Sequence, residues 1–155
     1  MSELIVVHRI DNITPLDRHI PLHMTALHWF ETDAPDAKVA EQLEAFARQQ
    51  AVVTTRATEE ALFGPEHDVP VMRLERTQEL LDMHFGLLAL AKYLGARLDE
   101  RWVGEGGRNP HVTHQSEGRL QVGDTVEIDS LDLIVREDDG MRRLVTRVEL
   151  GGRDD

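Results

Sequence analysis

Apolar side chains recur along this chain at two different spacings, and the switch between them divides it into strands and helices. Short apolar runs at 3–7 and at 22–30, the second following a connection punctuated by Pro15 and Pro21, predict two strands. Across 36–50, Val39, Leu43, Phe46 and Ala47 fall three and four apart behind Pro35, the spacing of an amphipathic helix with a charged outer face. Runs at 51–56 and 69–75, separated by a Gly64-Pro65 turn, predict strands able to pair as antiparallel neighbours. Thr77 then caps a second helix running to about 94, with Leu80, Leu81, Leu87, Leu88, Ala91 and Leu94 on its buried side and Gly95 as its stop. Residues 97–109, rich in glycine and carrying Arg101 and Arg108, read as a surface loop. A short strand at 110–114 follows, and 125–136 with 141–150 form a hairpin around the Asp138-Asp139-Gly140 turn. The last residues, 151–155, are expected to fray.

Strands paired in sequence around two helices favour an α+β architecture with antiparallel sheets over a wound parallel sheet. No repeat and no Pro, Gly or Ser tract divides the chain, so 1–150 is read as a single domain and 151–155 as a flexible tail. The 155 residues suffice to bury roughly two-thirds of the unfolded surface. The absence of cysteine excludes disulfides, thiolate metal sites and cysteine nucleophiles, and points to a reducing compartment. No leader-like or spanning apolar run is expected, so the reading is a cytoplasmic protein with no membrane partner. Seventeen basic against twenty-nine acidic residues give a net charge of -12, which repels a nucleic-acid duplex but leaves room for a small anion in a local pocket.

Two short strands carry the candidate chemistry. His23-Met24-Thr25 and His111-Val112-Thr113 each place an imidazole and a hydroxyl two residues apart, hence on one face about 7 Å apart, with an apolar residue between them turned into the core. The pattern alone is cheap in a chain with eight histidines, and His114-Gln115-Ser116 matches it too. What sets the first two apart is an apolar middle residue, a β-like setting and a proline one or two positions before the histidine.

At these residues the sequence resembles the two-histidine phosphoesterase superfamily, which includes 2'-5' RNA ligase-like proteins and 2',3'-cyclic phosphodiesterases. The resemblance spans most of the chain: both His-x-Thr strands, the helix after the first, the long helix and glycine-containing loop before the second, and the closing hairpin. It implies a pseudo-twofold, bilobal fold in which two antiparallel sheets with flanking helices enclose a central cleft where both motifs meet. It also implies metal-independent hydrolysis of a cyclic phosphate, on a nucleotide or short RNA end, to a phosphomonoester, with no cofactor. His23 is then the expected general acid and His111 the general base, because histidine can exchange a proton in either direction near neutral pH. Thr25 and Thr113 would supply hydroxyl donors to the phosphoryl oxygens. One departure is His114, where the family usually carries an apolar residue.

Other readings compete. A related enzyme could cut a cyclic di- or oligonucleotide signal, as some phage-encoded members of the family do to blunt host defence; a non-catalytic nucleotide-binding module could keep the cleft without turnover; an interaction domain could carry the two motifs by accident. A metal site built from His111 with His114, or His23 with His28, is disfavoured because offsets of three and five put side chains on opposite faces of a regular strand. Trp29 shares the parity of His23 and Thr25 and could stack on a base, as could Trp102 in the loop, although packing is the simpler role for Trp29. Arg108, just before the second motif, could bind phosphate through a forked contact, with Arg101 a weaker candidate. His84, at the edge of the long helix's apolar stripe, reads as a packed or boundary histidine. No phosphate-cradling glycine loop or nucleophile-elbow motif is present.

Overall fold

The computed structural model describes residues 2–98, 109–116 and 118–151. Its elements are β1 (Ser2–Arg9), β2 (His23–Thr32), α1 (Asp36–Gln49), β3 (Val53–Phe63), β4 (Val69–Leu74), α2 (Gln78–Tyr93), β5 (Arg97–Leu98), β6 (His111–Thr113), β7 (Thr125–Ile128), β8 (Ser130–Arg136) and β9 (Arg142–Glu149). Among the described residues every ladder is antiparallel, and the strands join in one path, β7-β3-β4-β6-β2-β1-β8-β9, with β5 on the edge of β2 beyond β6. Only Asp129 separates β7, at one end of that path, from β8, near the other. The Leu150 amide closes the junction by donating to the Asp129 carbonyl, 2.9 Å. The path therefore curls into an open half-barrel; where the resemblance implied two sheets, the described residues form one continuous nine-stranded sheet.

The helices form where the periodicity predicts. Thr77 Oγ1 accepts from the Leu80 amide at the start of α2, 3.1 Å, and Gly95 leaves it in the left-handed region at φ +70, which a side chain would strain. Both helices face the main core: Val39, Leu43 and Ala47 from α1 and Leu80, Met83, Leu87 and Ala91 from α2 join Leu4, Phe30, Met72, Leu131 and Leu133 of the strands. A smaller apolar cluster, Ile5, Val7, Ile20 and Ile134 with Leu16 and Trp29, lies on the other face of β1 and β8. Among the described residues no helix is long and apolar enough to cross a membrane.

Three local expectations are corrected. The strand predicted at 51–56 runs on to Phe63 and pairs with β4, so the hairpin reaches well beyond the core. The single strand predicted at 125–136 breaks at Asp129, because its first half pairs with β3 and its second with β1 and β9. Arg97 and Leu98, expected to open a loop, pair with Glu31 and Phe30.

Beside the small cluster, Asp132 is 1% exposed and is gripped by Arg147 through Nε at 2.6 Å and Nη2 at 2.9 Å. Arg9, itself 8% exposed, brings Nη1 to 4.0 Å from the same carboxylate. Removing the shared anion leaves a buried guanidinium unpaired, so Asp132→Ala is expected to cost about 3 to 5 kcal/mol in urea unfolding. Arg147→Ala, which leaves Asp132 its second cation, is expected to cost clearly less in the same measurement.

Candidate active site

The two His-x-Thr strands are neighbours. β6 lies between β4 and β2, with Val112 opposite Met72 on one side and opposite Met24 on the other. All three of those side chains are essentially inaccessible in the main core. Strand alternation then turns His23, Thr25, His111 and Thr113 together onto the opposite face. Because the ladder is antiparallel about Met24 and Val112, His23 stands across from Thr113 and Thr25 across from His111. Each imidazole is thus flanked by the hydroxyl residue of the other motif at cross-strand distance, and the two imidazoles sit diagonally, roughly 7 Å apart between their backbones.

The two rings are held in the same way. His23 Nδ1 donates to the Pro21 carbonyl at 2.9 Å, and His111 Nδ1 donates to the Asn109 carbonyl at 2.8 Å, in each case two residues back. A carbonyl can only accept, so Nδ1 carries a proton in both rings and Nε2 is the nitrogen left to gain or lose one. Burial pushes both imidazoles below the ordinary histidine value of 6.5. Their carbonyl bonds oppose this; His111 and Arg9 add to it for His23, and Arg73 for His111.

Those two arginines are residues that the sequence alone did not single out. Arg73 lies opposite His111 across β4–β6, and Arg9 lies opposite His23 across β1–β2. A row of cationic and hydroxyl side chains therefore crosses the sheet in a protein of net charge -12. Phe63 was also missed. Its ring meets His111 edge-on, centroids 4.7 Å apart, and the Arg73 guanidinium lies 5.1 Å over it. Phe63, Val69, His67 and Arg73 wall a groove of about 480 Å³ that has His111, Thr113 and His28 on its other side.

His28 reaches this groove because β2 carries irregularities in its pairing with β1, between Leu4 and Val6 and between Val6 and Val7. The extra residues reset the alternation that a regular strand would impose. Among the described residues no group of three His, Asp or Glu side chains is placed to hold a metal ion. Trp29 is not among the groove residues: it packs on the Ile5–Val7–Ile20–Ile134 cluster, with the guanidinium carbons of Arg136 and Arg142 at 4.5 and 5.3 Å from its ring centre. The expectations for Arg101, Trp102 and Arg108 lie outside the described residues. His84 is buried, as its place on the stripe implied, and donates from Nδ1 to the Ala26 carbonyl.

The fold is thus an antiparallel half-barrel with two carbonyl-tethered histidines and two threonines on one face of the β2–β6 ladder. The family model of the 2'-5' RNA ligase superfamily matches residues 5–140, and the chain belongs to that superfamily. Comparison with curated protein sequences yields no match. Among solved structures the chain is similar to TT0787 of Thermus thermophilus, with a TM-score of 0.61 at 18% identity over 98% of this chain and 100% of that one. It is also similar to LigT of E. coli complexed with 3'-AMP, with a TM-score of 0.60 at 14% identity over 97% of this chain and 98% of that one. At these identities the likeness is one of fold.

Both histidine rings are expected to titrate below 6.5 in a proton NMR titration of the free protein, and both midpoints to rise when inorganic phosphate is added. A depressed folded-state value means that these groups favour the fold when neutral. Their contribution is present above 6.5 and is lost as pH falls through that value towards the folded midpoints. A midpoint above 6.5 in the free protein would contradict this account.

Proposed function

We propose that this protein is a metal-independent phosphodiesterase that opens a cyclic phosphate, of a nucleotide or short RNA end, to a phosphomonoester. The observation that carries the reading is the matched pair of imidazoles. Each has Nδ1 tied to a carbonyl, and both belong to one face of the β2–β6 ladder with a threonine opposite. Superfamily membership supports phosphodiester chemistry in general. The solved LigT complex with 3'-AMP supports a nucleotide as the ligand class. The groove of about 480 Å³ beside His111 suits one nucleoside.

In this reading His111 Nε2 takes a proton from water as the water oxygen bonds to phosphorus. The bond from phosphorus to one ribose oxygen breaks, and that oxygen receives a proton from His23 Nε2. Thr25 and Thr113 donate to the phosphoryl oxygens as charge accumulates on them, while Arg9 and Arg73 supply positive potential from either side. Because the free imidazoles are neutral at pH 7, the anionic substrate itself favours protonation of the acid.

Three measurements follow. Against a panel of 2',3'-cyclic nucleotides, a cyclic-phosphate-ended RNA and cyclic dinucleotides, turnover is expected to persist in excess EDTA. It is expected to fall by roughly 10² to 10⁴ in His23→Ala and in His111→Ala, with binding partly retained. No product from any substrate would favour a binding module, and cleavage confined to the cyclic dinucleotides would favour a signal hydrolase. The profile of kcat/KM against pH should be bell-shaped, with its maximum below 6.5, since that ratio reports the free enzyme. Phe63→Ala should raise KM about tenfold, the scale of one lost base–aromatic contact, with a smaller change in kcat.

A further inference from the structure

The edge of β2 that faces β6 is paired in two separate places. Met24 meets Val112, and farther along Phe30 and Glu31 meet Leu98 and Arg97 of β5. Between these, residues 26–29 have no strand partner on that edge among the described residues. The gap lies between the face that carries His111 and the layer that contains α2.

His84 closes the gap from the α2 side. It is 9% exposed and donates from Nδ1 to the Ala26 carbonyl at 3.1 Å. Its Nε2 is buried and hydrogen bonds to no group among the described residues. In a neutral ring whose Nδ1 carries the proton, Nε2 is an acceptor with a lone pair, and a buried acceptor without a partner is costly. Beside it is a cavity of about 30 Å³, lined by Thr25, His28, Asn109 and His111 as well as His84, and backed by Met83. That is room for roughly two water molecules and too little for a ribose or a base. The polar groups around it meet the requirement that an internal water have several partners.

We infer that this gap in the sheet is a water site, and that it holds the nucleophile of the hydrolysis proposed above, with His84 as its positioning residue. The inference rests on that functional reading. A water there donates one hydrogen to His84 Nε2 and stands at the end of the cavity bounded by His111. Moving onto phosphorus, its oxygen forms the new P–O bond, its other proton passes to His111 Nε2, and the ribose oxygen departs with a proton from His23. His84 itself neither gains nor loses a proton in the step. Solvent refills the cavity after each turnover.

The substitutions His84→Asn and His84→Gln separate this role from a structural one. The asparagine amide can replace the Nδ1 donor to Ala26 but offers nothing at the Nε2 position; the glutamine amide reaches the Nε2 position with an acceptor oxygen. His84→Asn is expected to lose roughly tenfold in kcat with KM little changed, and His84→Gln to recover most of it. If His84 merely anchors α2 to β2, the asparagine variant is the better enzyme and the inference fails. Full activity in His84→Asn also overturns it. Independently of turnover, the His84 ring protons of the wild-type protein should show a cross-peak to bound water in a water-selective NMR experiment, and its absence overturns the site. A cross-peak in a protein that opens none of the cyclic phosphates would leave the water site standing and reject the proposed hydrolysis instead.

Discussion

Met24 and Val112 face each other across the β2–β6 ladder, and burial of that one pair fixes everything on the reverse side of the sheet. A slip of one residue would turn His23 and Thr25, or His111 and Thr113, into an apolar core while exposing a methionine or a valine, so the penalty has both an apolar and a polar part. β6 is only three residues long and could not hold this register by its contact with β2 alone. It is pinned by β4: Val71, Met72 and Arg73 pair with Thr113, Val112 and His111, the Leu74 amide donates to the Pro110 carbonyl, and the His114 amide donates to the Pro70 carbonyl. The β3–β4 hairpin thus sets the position of the second histidine before any ligand is present. The same hairpin brings Phe63 against that histidine, which ties ring orientation to the register of a distant turn.

How much of this was legible in the sequence depends on the range of the interaction concerned. The helices and most strands declare themselves through spacing, and the His-x-Thr pair through its repeated context, because those signals lie within a few residues. The side-chain parity of each motif followed from the same local rule. What was not legible depends on pairing between distant segments. Arg9 and Arg73 are ordinary strand arginines until the ladders set them opposite His23 and His111. His28 is excluded from the groove by regular alternation and enters only because β2 is irregular against β1. Trp29 keeps the motif's face, since two register shifts cancel by that point, but the apolar cluster of Ile5, Val7, Ile20 and Ile134 occupies its ring away from the groove. The break at Asp129 separates two stretches that look like one strand because both are apolar, and only their different partners divide them.

The local arrangement is nearly unchanged if the two motifs are exchanged: same ladder, same carbonyl tether, same flanking arginine. What distinguishes the two sides is solvent. Arg9 is buried and shares Asp132 with Arg147, so its charge is fixed and largely answered by a carboxylate on the same face of the sheet. Arg73 is half-exposed, paired at 3.5 Å with the outward Glu59, and rests over Phe63 at the wall of the open groove. An anion approaching from solvent therefore meets Arg73 and His111 first, and the deeper Arg9–His23 side offers a stiffer, drier field in which a charge that develops late is stabilised more strongly. Field strength and access are thus divided between two rings that are otherwise held alike. On that division rest the opposite tasks proposed for the two rings, even though the backbone treats them as equivalents.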